Sequence, residues 1–192
     1  PSTRRAGADT AVRVEIVRPP RAKPVRTLTT VLPKGLLGRV YDVPLCPAGQ
    51  AARGTCPPAS RVGRVAVDVG SGPRTSPLRG DLFLAAPAGD GALARLAFAI
   101  PAKVGPIDLG TFTMLAPIRL GERDGRVTVT ASVPEAFKGV RLAIRRIALD
   151  LDREGFLVNP TGCTGRTIDG TLGATDGTSG AASAAFEVRE CG

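Results

Sequence analysis

Four cysteines are the residues here whose type and spacing could do chemistry. They fall into two local sets, Cys46 and Cys56 in LCPAGQAARGTCPP, and Cys163 and Cys191 in NPTGC and FEVRECG. Cysteines either ligate a soft metal, run redox chemistry as thiolates, or join as disulfides. A four-cysteine zinc site brings its ligands in close C-x₂₋₄-C pairs. Here nine and 27 residues intervene, and the chain has no histidine. Two disulfides, Cys46–Cys56 and Cys163–Cys191, are therefore expected, and with them an oxidising, extracellular setting. Each closes a loop worth roughly 3 kcal/mol by the chain-entropy model. No cofactor is expected.

The missing histidine also removes Ser-His and Cys-His nucleophile pairs. No Ser-x-x-Lys or Gly-x-Ser-x-Gly occurs, and GSGPRT at 70–75 lacks the Lys-Ser or Lys-Thr of a phosphate loop. Paired carboxylates could hydrolyse a glycoside, but 4% aromatic residues and no Trp leave no platform for a sugar ring. The chain reads as non-enzymatic.

Three further motifs have plain alternatives. Asp150, Asp152 and Glu154, before Gly155, match the first half of a calcium loop. Val158 and Thr161 then occupy its ninth and twelfth positions, where a bidentate Glu should close the pattern. A polar turn is the simpler reading and a calcium site the alternative. Arg79-Gly80-Asp81 spells an integrin tripeptide, but inside a strand-like run. Asn159 is the only Asn; it could in principle join a lysine in an isopeptide, a role the cysteines already fill. LPKGL is no sorting signal, and Pro160 blocks glycosylation of Asn159-Pro160-Thr161.

The elements that must position these residues are strands. Gly and Pro are frequent, at 24 and 17 of 192 residues, which disfavours helices and suits short strands with tight turns. Period-2 alternation places Val12, Val14 and Ile16 on one face, and Val65, Val67 and Val69 on another. Further strands are expected at 25–32, 79–86, 92–100, 107–120, 165–173 and 181–190, with an irregular crossover at 33–60. Asp124-Gly125 marks a hairpin, returning through Val127, Val129, Ala131 and Val133. Residues 140–151 change phase at Arg145-Arg146, which predicts a β-bulge, with a short helix as the alternative. The sum is an all-β, antiparallel β-sandwich, Ig-like or double, stapled by disulfides. Residues 1–10 read as a flexible arm and 11–192 as the sandwich, divisible into halves near 11–104 and 105–192.

The formal charge is +9, and Arg outnumbers Lys 22 to 4. Scattered arginines without interleaved aromatics argue against nucleic acid. They suit a high-GC genome, or loose attraction to anionic envelope polymers. No run approaches the 18 apolar residues of a transmembrane helix. The first residue is Pro1, and the chain reads as a piece of a longer precursor.

LPKGLLG, GTCPPASRVGRVAVDVG, PLRGDLFL, VGPIDLGTF and GFLVNPTGC…FEVREC, in this order over residues 25–191, resemble a repeat module of large secreted proteins from high-GC Gram-positive bacteria. The resemblance implies a secreted, disulfide-bonded β module with no assigned enzyme activity or ligand. The resulting expectation is a non-catalytic structural module at the cell surface that associates with copies of itself into a layer, stalk or filament. Val12, Val14 and Ile16 are its candidate subunit contact. The alternative is a monomeric, adhesin-like module binding an envelope or host polymer.

Overall fold

A computed structural model describes residues 1–19, 22–70, 75–104, 106–163 and 167–191. In chain order its strands are β1 (Asp9–Thr10), β2 (Val12–Val17), β3 (Val25–Val31), β4 (Leu37–Gly38), β5 (Arg61–Val69), β6 (Ser76–Ala85), β7 (Ala94–Val104) and β8 (Ile107–Leu120). There follow β9 (Val127–Ser132), β10 (Ala136–Phe137), β11 (Val140–Arg141), β12 (Ile144–Leu151), β13 (Leu157–Val158), β14 (Thr167–Ala174) and β15 (Ser179–Ala185). One short helix, α1 (Ala48–Arg53), interrupts the crossover.

Ten strands form one antiparallel sheet in the order β15-β14-β3-β9-β8-β7-β6-β5-β12-β2. Alternation decides which face is inside. Leu28, Val65, Leu82, Phe98, Ala116, Ala131 and Ile147 share one buried cluster with Val12 of the edge strand β2. A flat ten-stranded sheet cannot bring its middle and its edge onto one cluster. The sheet curls until its concave face closes on itself, as strand twist favours. The fold is the expected all-β, sandwich-like body, with both layers drawn from one sheet.

The two proposed halves are interleaved: β3 lies between β14 and β9, and β12 between β5 and β2. The expected bulge is present, because the β12–β5 register shifts between Ile144 and Arg146. That shift moves Ile147, Leu149 and Leu151 onto the core face.

The convex face carries a smaller cluster. Cys46 and Ala51 pack there against Phe83, Ala85, Ala97 and Ala99. The Cys46–Cys56 disulfide closes the loop containing α1, with the two Cα atoms 5.4 Å apart. Cys46 also donates its N–H to Leu84 O at 2.8 Å. Gly54 caps α1 with φ +68, and a Cβ there would lie 2.8 Å from the methyls of Thr111 and Thr113. The first staple therefore pins the crossover flat onto β6–β8. The second joins Cys163 to Cys191, 5.7 Å apart at Cα, and ties the chain's end to the NPTGC corner.

Residues 1–10 are not a loose arm. β1 pairs with β13, and β13 with β4, in a small separate sheet. Asn159, 1% exposed, donates its side-chain amide to Thr3 O and Arg5 O, each at 2.9 Å. Its own N–H reaches Ala8 O at 2.9 Å. A lone buried Asn thus satisfies the N-terminal carbonyls, a role that alternation cannot reveal.

Arg126 is a second stitch. Its guanidinium donates to Leu32 O (2.9 Å), Thr167 O (3.1 Å) and Asp169 Oδ2 (2.6 Å), joining the Asp124-Gly125 turn to β14. Asp169 also accepts from Ser183 Oγ of β15 at 2.7 Å. Chiefly these two bonds, Ser183's first, hold the Asp169 carboxyl below its ordinary value.

Asn159→Ala should cost about 1–3 kcal/mol, since two carbonyls lose their donor. Urea denaturation checks the loss, and limited proteolysis should show faster cleavage within residues 1–10. A carboxylate with a depressed folded pKa contributes stability that is complete above its unfolded pKa and is lost as pH falls through the folded one. Stability should therefore decline below about pH 4. Asp169→Asn should flatten that decline in urea midpoints measured from pH 7 to pH 2.

Candidate ligand cavity

The concave interior is not filled. A cavity of about 260 Å³ lies between facing parts of the curled sheet. Val65, Val67 and Val69 of β5 and Ile144, Ile147 and Leu149 of β12 form one wall. Phe98 and Ile100 of β7, Phe112 and Met114 of β8, and Leu28 of β3 form much of the rest. Ala102 and Ala131 also line it, and their small side chains leave space that a Leu would occupy. Close-packed interiors hold few voids larger than a water. Side chains lining such a space forgo the contacts that a filled core would give them. Its lining is apolar apart from Ser76 and Arg141, so water gains little by entering.

The registers locate its open end. Val69 pairs with both Ser76 and Ile144, and Val104 pairs with Ile107, so these strand ends lie together. The hairpin β10–β11 stands there and has no ladder bond to the ten-stranded sheet. Lys138 (φ 47) and Gly139 (φ 80) form its two-residue turn, both left-handed as a type I′ turn requires. Side chains seat it instead: Phe137 meets Phe112 edge-on with centroids 5.4 Å apart. Val140 and Ile107 are exposed at this end, 46% and 59%. Arg141 lines the cavity with an exposed side chain and has no ion pair among the described residues.

Other arginines are engaged. Outside β2, β12 and β5, Arg13 bridges Asp150 (2.8 Å), Arg146 bridges Glu15 (2.8 Å), and Arg64 pairs with Asp152. The Arg146 bond lowers the Glu15 pKa.

No protein-family model, curated protein or solved structure matches the chain. Function must be argued from the site.

The remaining candidate residues lie as follows in the fold. Asp150, Asp152 and Glu154 do not converge on a cation position. Asp150 and Asp152 turn to separate arginines, and no carboxylate group able to hold a metal forms among the described residues. Val12 is buried in the chain's own core and Val14 and Ile16 are half-buried against it, while β2 stays at an edge of the ten-stranded sheet. Arg79-Gly80-Asp81 lies inside β6, where Asp81 pairs with Arg61 at 3.3 Å. Residues 71–74 of the Gly-rich turn lie outside the described residues. Sequence reasoning missed the cavity. Its available trace was alanine at inward strand positions 102 and 131, with apolar Phe137, Val140 and Leu142 in a segment rich in turn residues.

Ala131→Leu projects into the cavity and should leave stability unchanged or higher. Ala116→Leu, at a fully buried position on β8 away from the cavity, should cost about 1–3 kcal/mol by overpacking. Paired urea denaturation curves compare the two.

Proposed function

We propose that this chain is a non-catalytic, secreted module of a bacterial cell surface whose working part is the interior of its curled sheet, where it holds an apolar ligand. The cavity carries this reading: an apolar space lined almost wholly by hydrocarbon side chains leaves core contacts unmade until something occupies it. Two disulfides suit an oxidising compartment outside the cytoplasm. No helix among the described residues is long and apolar enough to cross a membrane. The ordered motifs from LPKGLLG to FEVREC support a place in a Gram-positive envelope. The surplus of cations, +9 formally, favours contact with anionic polymers there.

A second reading, assembly of copies into a layer, stalk or filament, is favoured by β15. This strand is exposed at every position, and its outer edge is unpaired among the described residues. No charge occurs from Gly177 to Ala185, although edge strands are commonly blunted by charge or proline. The edge could pair with a neighbour's by backbone hydrogen bonds alone.

The small neutral dye 1-naphthylamine, with ten carbons in two fused rings, tests the cavity. The folded, oxidised protein should bind one dye molecule saturably, and the double variant Ala102→Leu/Ala131→Leu should lose binding while keeping its melting temperature. Absent binding, or binding that ignores the filled cavity, would sink the reading. Light scattering at high concentration tests assembly: a strict monomer removes the second reading. Association abolished by Ala182→Pro supports it.

A further inference from the structure

We infer that the ligand is a single-chain anionic amphiphile, with its hydrocarbon tail in the cavity and its acidic head group on Arg141. This rests on the reading of the cavity as a ligand site and adds the chemistry of what it takes.

Size argues for one chain. A dry cavity of about 150 Å³ holds a benzene ring. By that scale 260 Å³ takes roughly ten carbons of a linear tail. The bulk of a second tail finds no room.

Polarity argues for an amphiphile entering tail first. The inner walls offer no hydrogen-bonding side chain, so a buried head group would lose its solvation without compensation. The two polar side chains of the lining, Ser76 and Arg141, belong to elements at the open end. A head group held there stays at the water boundary. Exposed Val140 and Ile107 offer the tail apolar surface at the same end. The β10–β11 hairpin rests on side-chain packing against Phe112, so it can yield to a tail without breaking the main ladder.

Charge argues for an anion. Among the described residues Arg141 is the only charged one in the lining, and its guanidinium is uncompensated there. The acids near this end are committed elsewhere, Glu135 to Arg26 at 3.5 Å and Asp108 to Lys103 at 3.5 Å. Lys138, in the hairpin turn, adds a second cation nearby. A guanidinium fork matches the paired oxygens of a carboxylate, sulfate or phosphate monoester.

Displacement of 1-naphthylamine by ten-carbon ligands, below their micelle concentrations at pH 8, tests this. Decanoate should bind at least tenfold more tightly than decanol, and decyltrimethylammonium more weakly than either. Arg141→Gln should erase the decanoate preference and leave decanol unchanged. In the wild-type protein the preference should also shrink as salt rises, a readout that needs no variant. Equal binding of decanoate and decanol, or a preference that survives Arg141→Gln, would overturn the head-group assignment. A two-tailed phosphatidic acid that competes as well as decanoate would overturn the single-chain assignment. If the dye binds and no ten-carbon ligand displaces it, this inference fails and the cavity reading stands. If the dye also fails to bind, both fall.

Discussion

One constraint organises this molecule: ten strands, each apolar on one face, must bury those faces in a chain with few aromatics and one six-residue helix. Among the described residues no layer of helices covers the sheet. The concave face must cover itself, and strand twist makes that possible. Nearly everything else concerns the ends and edges of the curl, where ladder bonds run out and other interactions must hold position.

The two disulfides and two polar stitches act at those places. Cys46–Cys56 fixes the crossover against the convex face, where Ala85, Ala97 and Ala99 are small enough to let α1 approach. Cys163–Cys191 and Asn159 gather the start of the chain, the NPTGC corner and the last cysteine. Arg126 joins a hairpin turn to β14 next to the open edge at β15. The Arg–carboxylate pairs outside β2, β12 and β5 are solvent-exposed and individually worth little. Their consequence is selection: outward positions of the edge strand become charged, which discourages indiscriminate edge pairing at β2 and leaves β15 as the unguarded edge.

Legibility from sequence followed the range of the interaction. Strands were readable because alternation is local: Val65, Val67 and Val69 announce their face within five residues, and Asp124-Gly125 announces its turn within two. The phase break at Arg145-Arg146 was readable as a bulge for the same reason. Both cysteine pairings were readable from spacing. Partners distant in sequence were not. Asn159 looks like a corner residue until Thr3 and Arg5 lie beside it, and Asp150 looks like a calcium ligand until Arg13 faces it across the sheet. Val12, Val14 and Ile16 look alike from alternation, and nothing local shows that the sheet curls far enough to bury Val12 and half-bury the other two. The cavity was least legible of all, since a void is a property of two walls and no single strand encodes it.

The cavity and the open sheet are two outcomes of one geometry. Closing β2 onto β15 would make a barrel and abolish both edges, but among the described residues both stay unpaired. An unclosed curl can change its radius by small adjustments of twist, whereas a closed barrel is fixed by strand number and stagger. Alanines at 102 and 131 keep the walls from interlocking, and a hairpin seated only by side chains stands at the open end. Such a body can admit a guest without breaking its ladder. The stabilisation lost to the void would return on binding, because a ligand that occupies only the folded state adds its binding free energy to folding. On this view the disulfides set the floor: they hold the empty curl together so that stability need not come from a filled core, and the interior remains free for a ligand.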